Sequence, residues 1–156
     1  MATTHHVRRK KAIHSIAVSV FVHGTEDERE VVAAFRLIVP ENVRIDRQPV
    51  TGHFGNAIVI LKARTGKAQA IRQVIDAIRN KLPKRDLIQL RGQIPQHLSE
   101  RCTLVVKFDK QAAARGVLER GKADPIVVRA KIAAYPARLE VAAEIARDLL
   151  NNAYIY

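Results

Sequence analysis

The chain has 156 residues, 47% hydrophobic and 27% charged, with only seven Gly and six Pro; this is the composition of a folded domain and excludes a disordered or collagen-like chain. Its 27 Lys and Arg stand against 15 Asp and Glu, giving a formal charge of +12 and an isoelectric point of about 10.4. An excess of this size points to a polyanionic partner, nucleic acid before a membrane surface, since a merely thermostable charged surface would carry balanced signs.

Residues 1–11 are polar and basic with no apolar period, and read as a flexible tail ahead of a single domain over residues 12–156. Arg8, Arg9, Lys10 and Lys11 precede the short apolar segment Ile13–Val22 as in a signal peptide, but His14, Ser15 and Ser19 interrupt that segment and no small-residue cleavage site follows. No apolar run approaches the roughly 18 residues of a membrane span. The reading is therefore a cytoplasmic protein with no membrane partner. A single Cys, Cys102, leaves no disulfide framework.

Ile13–Val22 has the β-branched alternation of a strand. Thr25-Glu26-Asp27-Glu28 has the form of a capping box with Thr25 as N-cap, opening a helix that carries Val31, Val32, Ala34, Phe35 and Ile38 on one face and ends before Pro40. A weaker strand over 43–50, the turn Thr51-Gly52-His53-Phe54-Gly55-Asn56 and a clear strand over 57–64 come next. From Lys67 to Leu82 the residues Ile71, Val74, Ile75 and Ile78 recur at helical spacing, and the segment 84–101 is undecided. A strand over 102–108, a short helix capped by Asp109 and closed by Gly116, a strand over 126–134 and a helix over 137–150 complete the chain. The order is roughly β-α-β-β-α-β-(α)-β-α. This predicts an α+β fold, a two-layer α/β sandwich whose mixed, mostly antiparallel sheet carries its helices on one face.

Residues i and i+2 of a strand share a face. In 57–64, 102–109 and 126–134 one set is wholly apolar, while the other collects Lys62, Arg64, Lys107, Arg129 and Lys131 with Asp109 as the only acid. If these strands are neighbours, the helix-free face is a cationic surface for phosphates. Arg8, Arg9, Lys10 and Lys11 would extend it as an arm. Among the aromatics, Phe54 in the Gly-flanked turn and the terminal Tyr154 and Tyr156 are the candidate base platforms, with His53 and Asn56 beside Phe54 and Lys110 after the Asp109 cap as further RNA contacts. So few exposed rings favour backbone and shape recognition of structured RNA over single-strand stacking.

Nothing in the sequence calls for a catalyst, a cofactor or a small-molecule substrate. The six His lack the spacing of a metal site, and the scattered Asp residues do not form a hydrolytic cluster. Glu26, Asp27, Glu28 and Glu30, the basis of a rival reading as an RNA-cleaving enzyme, are explained by the positive end of the helix they open. Cys102 reads as core, and the Gly52–Asn56 turn lacks the Lys-Ser or Lys-Thr of a phosphate loop.

Three motifs, Val22-His23-Gly24-Thr25-Glu26-Asp27-Glu28, Gly52-His53-Phe54-Gly55-Asn56 and Phe108-Asp109-Lys110-Gln111-Ala112 with Gly116, are supported by Asp124-Pro125-Ile126 and Tyr135-Pro136-Ala137. Together they resemble a family of archaeal RNA-binding proteins that share the fold of the large-subunit ribosomal protein holding 5S ribosomal RNA, some proposed as accessory subunits of the exosome. The resemblance covers about residues 13–150 in order and implies an α/β sandwich and RNA binding without catalysis. Family members usually carry Ala at the position of Gly24 and Tyr at that of Phe54, and the basic arm is additional. The arm points to a large RNA, which makes ribosomal RNA and neighbouring ribosomal proteins the expected partners and a small ribosomal protein or ribosome-bound translation factor the expected role. An accessory RNA-binding subunit of an exosome-like assembly is the alternative.

Overall fold

In the computed structural model, which describes residues 11–151, eleven elements follow one another: β1 (Ile13–His23), α1 (Glu28–Phe35), β2 (Asp46–Thr51), β3 (Ala57–Thr65), α2 (Ala68–Lys81), α3 (Lys84–Gly92), α4 (Ile94–His97), β4 (Thr103–Phe108), α5 (Lys110–Ala114), β5 (Ile126–Ile132) and α6 (Leu139–Leu149). The five strands form one sheet in the order β2-β3-β1-β5-β4. Every neighbouring pair is antiparallel, in line with the mostly antiparallel sheet expected, and no described pair is parallel. The first strand is thus the central one.

Alternation decides the layers. Ile16, Val18, Val20 and Val22 of β1, Leu61 and Ala63 of β3, Leu104, Val106 and Phe108 of β4 and Ile126, Val128, Ala130 and Ile132 of β5 are buried and join the buried residues of the helices in one core. The longest helix, α2, has no side-chain cap and is held by burial of Ala70, Ile71, Val74, Ile75 and Ile78. Each large aliphatic group there contributes about 1.5–3 kcal/mol.

Helix starts differ from expectation in one place. The N-cap of α1 is Asp27, whose side chain accepts from Arg29 N, and not Thr25; Glu26 Oε1 instead accepts from the N–H of His23 at 2.9 Å. Asp109 caps α5 as expected, accepting from Ala112 N at 2.9 Å, and Gly116 follows at φ +84°. The undecided stretch folds as α3 and α4, which bury Leu87, Leu90 and Ile94. Cys102 lies just before β4 at φ 60° and is buried.

Candidate nucleic-acid interface

Register places the outward residues in rows across the sheet. One row runs Asp46, Lys62, Ser19, Val127, Lys107; the next runs Arg64, Ala17, Arg129, Val105; a third runs Ser15, Lys131, Thr103. The five cations expected on this face, Lys62, Arg64, Lys107, Arg129 and Lys131, are all exposed there. Those on β3 and β5 flank a file of small residues on β1, Ser15, Ala17 and Ser19. Strands lie about 4.8 Å apart, so Arg64 and Arg129 stand about 10 Å apart with Ala17 between them. The result is a shallow trough with positive banks.

The acid on this face is Asp46 and not Asp109. Asp109 turns to its helix cap, whereas Asp46 of β2 sits opposite Lys62 and pairs with Arg44 at 3.2 Å. That leaves one bank partly neutralised at the β2 edge. The other four cations have no acid opposite them in the ladder.

At one end the trough becomes apolar. Phe21, opposite Ile60 on β3, is 48% exposed on this face. In the sequence it stands inside an apolar run, but the alternation of β1 sets Phe21 with Ser15, Ala17 and Ser19 and against Ile16, Val18 and Val20. Beyond the same end lies the β2–β3 turn. Phe54 is 92% exposed at its tip, with His53 edge-on at 5.0 Å, and Asn56 closes the turn by folding its side chain over Gly52 and accepting Gly52 N at its carbonyl. At the opposite end Lys11 donates to Gly66 O at 2.8 Å. Arg8, Arg9, Lys10, Tyr154 and Tyr156 lie outside the described residues.

Lys110 does not belong with the exposed cations. It is 2% exposed, and its three donors go to Phe21 O at 3.0 Å, to Glu26 Oε1 at 2.8 Å and to Asp124 Oδ2. His23 Nε2 stands 3.0 Å from the same Asp124 oxygen. Asp124 reaches this position in a left-handed conformation, φ 47°. The segments around residues 23–26, 110 and 124, singled out separately as motifs, therefore meet at one ammonium group. His23, Glu26 and Asp124 are also spaced closely enough to ligate a cation, and Lys110 already supplies the positive charge among them.

Burial alone would raise the carboxyl pKa of Glu26, but hydrogen bonds from Lys110 and the His23 backbone N–H, with the charge of Lys110, outweigh it and hold it below its ordinary value. Asp124 is lowered in the same way, burial opposing and Lys110 and His23 prevailing. Both groups bind protons more weakly in the folded chain. Their contribution to stability is complete above the unfolded carboxylate range and is lost as pH falls through the lowered folded values. Urea midpoints should accordingly fall steeply below about pH 4.5, and a Glu26→Gln, Asp124→Asn double variant should show a flatter acid limb.

Three acids of the 26–30 run hold partners: Glu26 has Lys110, Asp27 its cap, and Glu28 has Arg47, whose Nε lies 3.0 Å from both carboxylate oxygens; Glu30 is exposed. Among the described residues no helix is long and apolar enough to cross a membrane.

The fold and this face define an α+β domain whose sheet has one open, cation-lined surface. A family model described as RNA binding matches residues 15–132, and the chain belongs to that RNA-binding family. It is 29% identical over 149 residues to an RNA-binding protein of Pyrococcus abyssi, covering 92% of this chain and 97% of that one. An uncharacterized protein of Methanocaldococcus jannaschii is 31% identical over 123 residues, 74% of this chain and 80% of that one. Among solved structures, a DUF54 protein of Methanothermobacter thermautotrophicus superposes with a TM-score of 0.76 at 32% identity, covering 90% of this chain and 100% of that one. A DUF54 protein of Archaeoglobus fulgidus gives 0.79 at 28% identity, covering 88% and 99%. An alanine would fit at Gly24, where a Cβ would stand 3.4 Å from Ala57 O, an ordinary contact.

Proposed function

We propose that this protein binds structured RNA through the open sheet face, without catalysing a reaction on it, and that its RNA is ribosomal. One observation carries the reading: on one helix-free face, four exposed cations on β3 and β5 border a small-residue trough on β1 that ends at Phe21, and Lys107 of β4 extends the cationic face. Phosphates would track the banks, and Phe21 and Phe54 would meet bases that leave the stack. Residues 1–11 would add a basic arm to the domain formed by residues 12–156, with Lys11 seated at its root on Gly66 O and Arg8, Arg9 and Lys10 ahead of it. Glu26, Asp27 and Glu28 of the 26–30 run hold structural partners, which favours a binding role over hydrolysis.

Co-sedimentation with ribosomal subunits and with purified ribosomal RNA at graded salt tests this. Log affinity should fall by about 0.7–0.9 per phosphate contact for each tenfold rise in salt. Salt-independent binding, or magnesium-dependent cleavage of the RNA, would overturn the reading. Retention on precursor-processing assemblies with none on ribosomes would replace the ribosomal role by that of an accessory subunit.

A further inference from the structure

β4 is an edge strand, and its free edge is covered only at its ends. Leu98 bridges Leu104 with Ser99 N donating to Thr103 O, and Arg120 bridges Phe108 with Gly121 N donating to Lys107 O. Between these bridges, beside Val105 and Lys107, opens a cleft of about 570 Å³. Thr103, Lys107 and Asp109 turn their backbone groups to this edge, so by alternation Val105 does too; the Leu98–Leu104 bridge sets the backbone of Val105 against His97, and the N–H of Lys107 points toward the cleft. The gap is too short to admit a further strand. Its occupant must be small.

The walls are chemically distinct. Gln89, Gln93 and Gln96 follow one another at i, i+4 and i+7 along α3 and α4, opposite the buried Leu87, Leu90 and Ile94, and line one side with amides. Lys107, Arg120 and Lys122 line the other, and among the described residues no carboxylate lines the cleft. Arg120 is held in place: Nη1 donates to Gln93 Oε1 at 3.2 Å and Nη2 to His97 Nε2 at 2.9 Å, leaving its other N–H groups unused. A guanidinium can only donate, so His97 accepts at Nε2 and carries its proton on Nδ1, toward the backbone of Val105. Burial first, and Arg120 second, push the His97 pKa down, which keeps the ring neutral and the pair intact at neutral pH. Lys122 and Lys107 are the other charged groups acting on the ring.

A fixed guanidinium, two lysines and the backbone N–H of Lys107 suit a phosphate; a row of amides suits the edge of a heteroaromatic base. The volume is far larger than a bare phosphate fills. Lys107 belongs both to the cleft and to the cationic sheet face, so a chain of phosphates on that face leads directly into it. We infer that the cleft seats a single nucleotide of the bound RNA, either turned out of a helix or at a free end, with its phosphate on Arg120 and the lysines and its base on the glutamine wall. This deepens the RNA-binding reading and rests on it.

The test uses the full chain with four RNAs: a perfect hairpin, the same hairpin with one bulged nucleotide, and a short single strand with or without a 5′-phosphate. The parent should bind the bulged hairpin, or the phosphorylated end, about tenfold more tightly than its unmodified counterpart, and Arg120→Gln should erase that advantage while keeping affinity for the perfect hairpin. Which pair shows the gain identifies an extruded or a terminal nucleotide. Should Arg120→Gln fail to fold, the exposed Lys122→Glu gives the same contrast. Separately, a nucleoside monophosphate alone should shift the amide resonances of Val105, Lys107 and Gly121 at millimolar concentration, and Gln93→Ala should weaken that response. Equal binding of all four RNAs by the parent, or inorganic phosphate or a phosphoserine peptide matching the nucleotide at the cleft, would overturn the inference. If no RNA binds but the monophosphate still shifts these amides, the cleft stands and the RNA reading of the sheet face falls.

Discussion

Lys110→Met should lower the stability of the domain by about 3 kcal/mol, a fall in melting temperature of about 6–12 °C for a chain of this length. Removing one partner of a buried ion cluster costs about 3–5 kcal/mol, because the remaining charges lose both their Coulomb partner and their hydrogen bonds. Here the lower end applies, since the Asp124 side chain is 37% exposed and water relieves part of the penalty. Methionine fills the channel of the alkyl stem, so the loss reports the ammonium and not a cavity. Two carboxylates then face each other beside an unpaired Phe21 carbonyl. Adding Glu26→Gln to Lys110→Met should recover part of the loss; simple additivity in that double-mutant cycle would deny the coupling. The measurement is urea unfolding at neutral pH for the four chains of the cycle.

The second large effect is on binding. Reversing Lys62, Arg129 and Lys131 to Glu should weaken affinity for structured RNA by about a hundred- to a thousandfold at low salt and reduce the slope of log affinity against log salt by about two to three. The control is a triple reversal at Lys84, Arg85 and Arg147, exposed cations on helices of the opposite layer, which changes the net charge equally. Location is thereby separated from total charge. Melting temperatures of both triples should stay close to the parent, since all six side chains are exposed. Equal losses in the two triples would mean that the RNA answers to the sum of the charge and not to this face. Arg79 would be a poor control, because it pairs with Asp76 at 2.7 Å and donates to Leu149 O and Asn151 O.

The strands and the side of the sheet that each residue faces were legible, because a period of two leaves little freedom once one set is apolar. Lys62, Arg64, Lys107, Arg129 and Lys131 came from that rule. Phe21 could have come from it too, had the alternation of β1 been followed past Ser19; instead it reads as one more apolar residue in an apolar run. Lys110 was beyond the rule. A lysine one residue after a helix cap looks solvated, and its burial depends on Glu26 and Asp124 arriving from distant parts of the chain. α3 and α4 stayed undecided because Pro83 and Pro95 break the pattern, although Leu87, Leu90 and Ile94 are spaced for a helix. The cleft beside β4 needed the bridges at Leu98 and Arg120, which no periodicity announces.

The placement of β1 has a consequence for how the molecule comes into being. The strand at the middle of the sheet is the first to leave the ribosome, yet its two partners are β3 and β5, and Ser19 is not paired on its second side until Val127 has been made. Folding that depends on contacts so distant in sequence is slow and late. Until the last strand emerges, an apolar strand with an open edge must persist in the nascent chain, and shortened products ending before β5 are expected to aggregate instead of forming a smaller domain.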